Sequence, residues 1–222
     1  NDDQAFNELG EVADYFLVHN REIYAPLDDS VVMVINNKPR FIRRSRGYVP
    51  EPIHCESIEG TPILAMGSDL KNAFALNKGN EILIGPHIGD LENACTHETL
   101  EWTINRYENL FSIEPEKIII DSHPQFFSSH LGEHIGASSQ IPVVTVQHHH
   151  AHIASVMAEH NLIGPVLGIA MDGTGYGPDG TIWGGEFLLC KGNQYQRLAH
   201  IHEAPLPGGE KAVSEPWRQA LW

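Results

Sequence analysis

The stretch PVVTVQHHHAHIASVMAEH, residues 142–160, joins an apolar, valine-rich run to a segment with helical spacing. The run PVVTV predicts a buried strand, because short apolar runs of this kind are typical of parallel sheets. His148 and His152 follow the run and lie four residues apart, so a helix would carry both side chains on one face. A strand that leads into a helix predicts the α/β class, with both imidazoles at the carboxyl end of the strand.

A second apolar run also ends in a possible metal ligand. VLGIAMD, residues 166–172, predicts a strand that ends at Asp172, just before a glycine-rich loop. Ligands of open α/β sheets bind beyond the carboxyl ends of the strands, so we expect Asp172 to lie close to His148 and His152. Two imidazoles and a carboxylate suit zinc or iron and leave a coordination position open. We therefore predict a divalent metal site formed by these three residues, although a plain turn after a strand would also explain Asp172.

Two further histidines, His149 and His150, lie between the predicted ligands. Their directions on a helix differ from those of His148 and His152. We predict that they act in catalysis or contact the substrate; support of the metal ligands is the alternative.

The glycine-rich loop DGTGYGPDGT, residues 172–181, and the pair Gly184-Gly185 offer backbone amides of the kind that bind phosphate. The pattern matches neither the dinucleotide fingerprint nor the Walker motif, and glycine-rich hairpins without a function are common. The glycines predicted to bind the phosphate of a nucleotide or of a related substrate are Gly173, Gly175, Gly184 and Gly185.

Apolar runs elsewhere predict the remaining elements. ILAMG, NAFAL and EILIG, within residues 63–85, predict an antiparallel meander, and KIIID, residues 117–121, predicts a buried strand. Helical spacing predicts helices over residues 100–111, capped by Thr96, and over residues 125–135. Nearer the start we predict a helix to about His19, a buried strand at residues 31–35 and a returning strand at residues 40–44.

Composition and charge limit the possible functions. The chain has 222 residues, 41% of them hydrophobic, enough for one large domain or for a domain with a smaller neighbour. A formal net charge of −15 disfavours nucleic acid as a partner. No apolar run reaches the roughly 20 residues that cross a bilayer, so no membrane contact is expected. Three scattered cysteines suit a reducing compartment, and we expect a cytoplasmic protein.

Four arginines concentrate in RFIRRSRGY, residues 40–48, against the acidic trend of the chain. The segment is either an anion-binding site or a strand face that is exposed to water.

Five motifs together resemble the hydrogenase maturation carbamoyltransferases known as HypF: IRRSRGYVP, LAMGSDLKN, PHIGDLEN, VQHHHAHIASVMAEH and MDGTGYGPDGTIWGGEF. The resemblance implies that residues 1–50 are the end of a YrdC-like α+β domain and that residues 51–60 are a linker. Residues 61–222 would be the first half of a TsaD-like, ASKHA-type α/β domain with a mixed sheet.

The resemblance also implies a reaction. Carbamoyl phosphate is cleaved to carbamate, ATP converts this to carbamoyl adenylate, and the carbamoyl group passes to the C-terminal cysteine of HypE. His148, His152 and Asp172 match metal ligands of the family, whose fourth ligand is an aspartate with no counterpart here. Mg²⁺ is a further possible cofactor. The implied nucleotide or carbamoyl contacts are Arg43, Arg44, Ser45, Arg46 and Lys71.

Three alternatives remain open from the sequence. The histidine motif is shared with TsaD-like tRNA threonylcarbamoyl transferases and with O-carbamoyltransferases, although the acidic charge disfavours a tRNA substrate. The third alternative is a metal-binding module without chemistry of its own.

Overall fold

The computed structural model describes residues 2–21, 25, 27–58 and 60–221. Its main feature is a six-stranded mixed sheet with the order β3-β6-β5-β4-β7-β8. The strands are β3 (Ile53–His54), β4 (Ile63–Ala65), β5 (Ala75–Lys78), β6 (Glu81–Ile84), β7 (Lys117–Asp121) and β8 (Val143–Val146). The predicted α/β class with a mixed sheet is confirmed.

The two halves of this sheet differ in strand direction. β4, β5 and β6 form the predicted antiparallel meander. β4, β7 and β8 are parallel and are connected through α2 (Ala94–Phe111) and α3 (Phe127–Ser139). The carboxyl ends of β7 and β8 therefore lie at the same edge of the sheet.

The main core lies between this sheet and its helices. Its fully buried side chains include Leu64, Phe74, Leu100 and Ile118. Gly132 of α3 permits close packing on the sheet, since a Cβ there would lie 2.5 Å from the Cγ2 atom of Ile120. The helix can therefore approach the parallel strands closely only because this position has no side chain.

A second, three-stranded antiparallel sheet follows α4 (His148–Glu159). It has the order β13-β12-β9, from β9 (Val166–Ala170), β12 (Glu186–Lys191) and β13 (Gln194–His200). Ile153 and Met157 of α4 pack against Leu188 of this sheet and form a smaller core. The hairpin of β10 (Gly175–Tyr176) and β11 (Ile182–Trp183) connects β9 to β12. The chain ends with α5 (Glu210–Ser214) and a 3-10 helix (Pro216–Leu221).

The N-terminal region contains α1 (Asp2–Leu9) and a two-stranded ribbon of β1 (Val31–Ile35) and β2 (Lys38–Arg43). A turn at Asn36 and Asn37, with φ values of 52° and 58°, joins the two strands. The predicted burial of β1 is wrong. Met33 and Val34 are 52% and 70% exposed, because no other described element covers the ribbon.

Some predicted element boundaries are also wrong. α1 ends at Leu9 and not near His19, and Val12 and Leu17 beyond it are exposed and have no core to pack against. The cap of α2 is Asn93 and not Thr96: the Asn93 side chain accepts a hydrogen bond from the Thr96 amide at 3.1 Å.

The predicted domain boundaries stay predictions. Ile53–His54, inside the predicted linker, pairs with β6 as an edge strand of the large sheet. In the part of the chain that the structure describes, no helix is both long and apolar enough to span a membrane.

Candidate metal centre

Two strand ends place the three predicted ligands. β8 ends at Val146, and α4 begins two residues later at His148. The side chain of Gln147 caps this helix by accepting a hydrogen bond from the His150 amide at 3.0 Å. β9 ends at Ala170, two residues before Asp172. The junction between β8 and α4 therefore lies close to the end of β9 in the second sheet.

The structure brings His148, His152 and Asp172 together. The Nε2 atom of His148 lies 3.0 Å from Asp172 Oδ2 and 3.2 Å from Nε2 of His152. Nε2 of His152 lies 3.7 Å from the same carboxylate oxygen. One potential ligand atom from each of the three residues lies within 4.8 Å of the others. Two imidazoles and one carboxylate at this separation suit a divalent cation such as zinc or iron.

Asp121 is a further part of the site that sequence reasoning missed. Its Oδ2 atom lies 2.6 Å from Nδ1 of His148, on the side of the ring opposite the predicted metal. A carboxylate in this position fixes the tautomer and orientation of a ligating histidine. The sequence carried one signal for this residue: Asp121 ends the predicted strand KIIID. In the structure this strand pairs with β8 in parallel and aligns Asp121 with Val146.

The electrostatics of the site favour a positive charge between the carboxylates. Hydrogen bonds to Asp121 and then to Asp172 raise the pKa of the His148 imidazole to about 9. Contacts with His148 and then with His152 hold the pKa of Asp172 well below its usual range. Without a metal, a proton on His148 therefore occupies part of the space that a cation would use.

His149 and His150 point away from this group. His149 is fully buried; its Nδ1 atom lies 3.1 Å from Nε2 of Gln147 and its Nε2 atom 3.3 Å from the carbonyl oxygen of Asp172. Nε2 of His150 lies 3.3 Å from the Gly192 carbonyl oxygen. Burial lowers the pKa of both rings. The structure therefore shows His149 supporting the backbone of Asp172 and His150 joining α4 to the second sheet, and a catalytic role of either remains a prediction.

The predicted binding glycines make close internal contacts. A Cβ on Gly175 would lie 2.5 Å from Cε1 of His149, and one on Gly184 would lie 2.4 Å from the Gly173 carbonyl oxygen. The amide of Gly184 donates to Glu186, and that of Gly185 donates to the carbonyl oxygen of Asp172 at 2.9 Å. These two amides are thus already used, which disfavours the predicted phosphate contacts at Gly184 and Gly185.

Lys71 lies in the cleft beside the metal ligands. The cleft has a volume of about 420 Å³ and is also lined by Asp121, His148 and His152. The Lys71 backbone has a φ of 50° and its amide donates to Asp90 at 2.7 Å. The structure therefore brings Lys71, a predicted phosphate contact, to the same cleft as the metal ligands.

The arginine cluster lies elsewhere. Arg43 pairs with Asp28 at 3.1 Å, and Arg46 pairs with Asp29 at 2.9 Å. Arg44 donates to the carbonyl oxygen of Glu51, and Ser45 is fully buried. None of Arg43, Arg44, Ser45 and Arg46 lines the cleft with Lys71, so their predicted nucleotide contacts belong to a separate surface and stay a prediction.

The fold and site thus define an α/β protein with a candidate metal centre at the junction of two sheets. Two protein-family models match the chain: the HypF Kae1-like domain over residues 59–159, and the second subdomain of the carbamoyltransferase Kae1-like domain over residues 168–222. The chain is 45% identical over 218 residues to carbamoyltransferase HypF of Synechocystis sp. and 45% identical over 222 residues to carbamoyltransferase HypF2 of Cupriavidus necator. Each alignment covers 98% of this chain, but only 28% and 27% of the respective relative.

Two solved structures have the same fold. A crystal structure of full-length HypF in the phosphate- and nucleotide-bound form matches with a TM-score of 0.90 and 43% identity, over 100% of this chain and 34% of that one. The structure of T. kodakarensis HypF matches with a TM-score of 0.88 and 42% identity, over 98% of this chain and 29% of that one. The chain belongs to the HypF family of carbamoyltransferases. It spans less than a third of the length of the curated relatives named above.

Proposed function

We propose that this chain forms the metal-binding, carbamoyl-transferring part of a HypF-type enzyme. Such an enzyme uses carbamoyl phosphate and ATP to make carbamoyl adenylate, and passes the carbamoyl group to the C-terminal cysteine of HypE in hydrogenase maturation. The observation that carries the proposal is the convergence of His148, His152 and Asp172 at the edge of a cleft. The relative that was solved with phosphate and nucleotide supports the proposed class of substrate.

The donor set fits a zinc or iron ion. His148, His152 and Asp172 would hold it, and Asp121 would keep His148 oriented through their 2.6 Å contact. A cation bound there would act as a Lewis acid that polarises the carbonyl of the carbamoyl group. These three ligands would leave further coordination positions for the aspartate that the family resemblance implies and for substrate.

Other residues of the chain would position the substrate. Lys71 is the lysine that lines the cleft and would bind the phosphate of the adenylate. Arg43, Arg44, Ser45 and Arg46 would act on nucleotide or carbamate at their own surface, where Mg²⁺ would accompany ATP. An acceptor thiolate held close to the activated carbonyl would then react faster, because the two groups would no longer have to meet by diffusion.

The test separates carbamoyl transfer from activation in the full-length protein. We expect Asp172→Asn and His152→Ala to abolish carbamoylation of the HypE cysteine, measured by mass spectrometry. The same variants should retain carbamoyl phosphate-dependent exchange between ATP and pyrophosphate. A surface variant on α3, Glu133→Gln, serves as the control and should retain both activities. Full carbamoyl transfer by Asp172→Asn would contradict the proposal.

A further inference from the structure

The buried carboxylate of Glu186 contacts the turn that hydrogen-bonds to the backbone of the candidate metal ligand Asp172. Glu186 is fully buried at the start of β12. It accepts two hydrogen bonds from Arg197, from Nε at 2.7 Å and from an Nη atom at 2.8 Å. A third hydrogen bond comes from the backbone amide of Gly184 at 3.1 Å. Every contact of this buried charge is thus made within the second sheet and the turn before it.

That turn holds the backbone of a metal ligand. The next amide along, that of Gly185, donates to the carbonyl oxygen of Asp172 at 2.9 Å. Gly184 itself packs so closely on Gly173 that an added Cβ would lie 2.4 Å from the Gly173 carbonyl oxygen. The turn at residues 184–185 therefore hydrogen-bonds to and packs against the backbone at residues 172–173, where the glycine-rich loop after β9 begins.

Asp172 needs such support because of where it lies. Two of the three residues after it, Gly173 and Gly175, are glycines with little intrinsic conformational preference. The Asp172 carboxylate lies 3.0 Å from His148 Nε2 and must stay close to it for the two side chains to share an ion. Small displacements of a ligand weaken metal binding strongly, since ligand geometry decides affinity.

Arg197 adds a second connection to the same loop. Its guanidinium lies 4.0 Å from the centre of the Trp183 ring. The indole N–H of Trp183 in turn donates to the carboxylate of Asp179 at 3.0 Å. The β10–β11 hairpin is thereby attached to β13, so Arg197 contacts Trp183 and Glu186, on the two sides of the Gly184-Gly185 turn.

We propose that Glu186 and Arg197 are positioning residues for the metal ligand Asp172, acting through the Gly184-Gly185 turn. The inference rests on the proposed metal centre. The simpler role, an ion pair that only stabilises the sheet, predicts that every variant without the pair behaves alike. A positioning role predicts instead that metal affinity depends on whether residue 186 offers a hydrogen-bond acceptor to the Gly184 amide.

Two double variants separate these roles in the purified protein. Glu186→Leu with Arg197→Met removes the charges and the acceptor, whereas Glu186→Gln with Arg197→Met removes the charges but keeps an oxygen for the Gly184 amide. Cobalt(II) is the probe, because its d–d absorption reports both affinity and ligand geometry. We expect the leucine variant to bind cobalt(II) roughly tenfold more weakly than the glutamine variant, with an altered spectrum.

Controls distinguish loss of positioning from loss of folding. Leu188→Ala removes a fully buried side chain from the same strand and should lower the thermal midpoint while keeping the cobalt(II) spectrum. Gly184→Ala disturbs the packing of the turn on Gly173 but leaves both residues of the ion pair in place. It should reproduce the spectral change of the leucine variant. Equal cobalt(II) affinity of the two double variants would overturn the positioning role alone. No cobalt(II) binding by the unaltered protein would overturn the metal centre as well.

Discussion

At the scale of single residues, the site depends on which ring nitrogen faces which partner. His148 uses Nδ1 for Asp121 and presents Nε2 to Asp172 and His152. His149, one residue later, is rotated into the interior, where it contacts the side chain of Gln147 and the backbone of Asp172. Adjacent histidines of one helix therefore have separate tasks, because successive side chains on a helix point in different directions.

Removal of the Asp121 carboxylate should weaken metal binding without removing a ligand. Asp121→Asn keeps the size of the side chain but no longer stabilises His148 in one tautomer, so we expect zinc affinity to fall by about 10- to 100-fold. Competition with a chromogenic chelator measures this affinity. Glu133→Gln, on the exposed side of α3, should bind zinc like the unaltered protein. Unchanged affinity of Asp121→Asn would mean that its contact with His148 is incidental.

Metal affinity should rise with pH through the neutral range. Because the pKa of His148 is raised to about 9 in the metal-free protein, the ring is protonated at pH 7 and the metal must displace that proton. Apparent affinity should therefore increase by about tenfold per pH unit below the pKa of His148 and level off above it. Calorimetry in buffers with different ionisation enthalpies should detect about one proton released per ion near pH 7. Binding without proton release would contradict the protonated state of His148.

At the scale of elements, long-range contacts decide where helices begin and how closely they pack. α3 starts at Phe127 because the carboxylate of Asp69 accepts hydrogen bonds from the amides of Phe127 and Ser128 at 2.7 and 2.9 Å. The predicted start at residue 125 lacked this cap, which comes from a loop 58 residues earlier in the chain. A cap supplied from elsewhere in the fold leaves no local signature in the sequence.

Loss of this remote cap should destabilise the protein. Asp69→Ala leaves the amides of Phe127 and Ser128 without their acceptor, and we expect the free energy of unfolding to fall by about 1 to 2 kcal/mol. Urea denaturation followed by circular dichroism measures the change. Ser138→Ala, on the exposed last turn of α3, is the matched control and should change stability by less than about 0.5 kcal/mol. Equal effects of the two variants would rule out the cap.

Close packing of α3 on the sheet leads to a second prediction at this scale. Gly132→Ala would gain about 1 kcal/mol of helix propensity, but its Cβ would lie 2.5 Å from Ile120 Cγ2 and 2.9 Å from Met66 Cγ. We expect the clash to dominate and the free energy of unfolding to fall by about 1 to 3 kcal/mol. Gly164→Ala, where no atom lies within 4 Å of the added Cβ, should have little effect. A stabilised Gly132→Ala variant would show that α3 moves away from the sheet without cost.

At the scale of the whole molecule, the candidate metal centre joins separate parts of the fold. His148 and His152 belong to α4, Asp121 to the large sheet, and Asp172 to the end of β9 in the second sheet. A cation there would connect the two sheets across their junction. Binding to the folded state alone would then stabilise the protein as a unit.

Zinc should accordingly raise the thermal midpoint of the protein. At a free zinc concentration 100-fold above the dissociation constant, the expected stabilisation is about 2.7 kcal/mol, measured by differential scanning calorimetry. His148→Ala combined with His152→Ala should abolish the increase. His130→Ala combined with His134→Ala, two histidines on α3, keeps the number of removed imidazoles equal and should leave the increase intact. An equal loss in both double variants would indicate non-specific binding.

The local features of this protein follow from its sequence, whereas the convergence of the site does not. Apolar runs determine the parallel and antiparallel strands, and the four-residue spacing of His148 and His152 determines their common helical face. The exposure of β1, the contact of His150 with Gly192 and the approach of Asp121 to His148 depended on the tertiary structure. The physical reason is the distance along the chain over which each feature is determined. Strand and helix periodicities depend on neighbouring residues, whereas burial and hydrogen-bond partners depend on residues distant in sequence that only folding brings together.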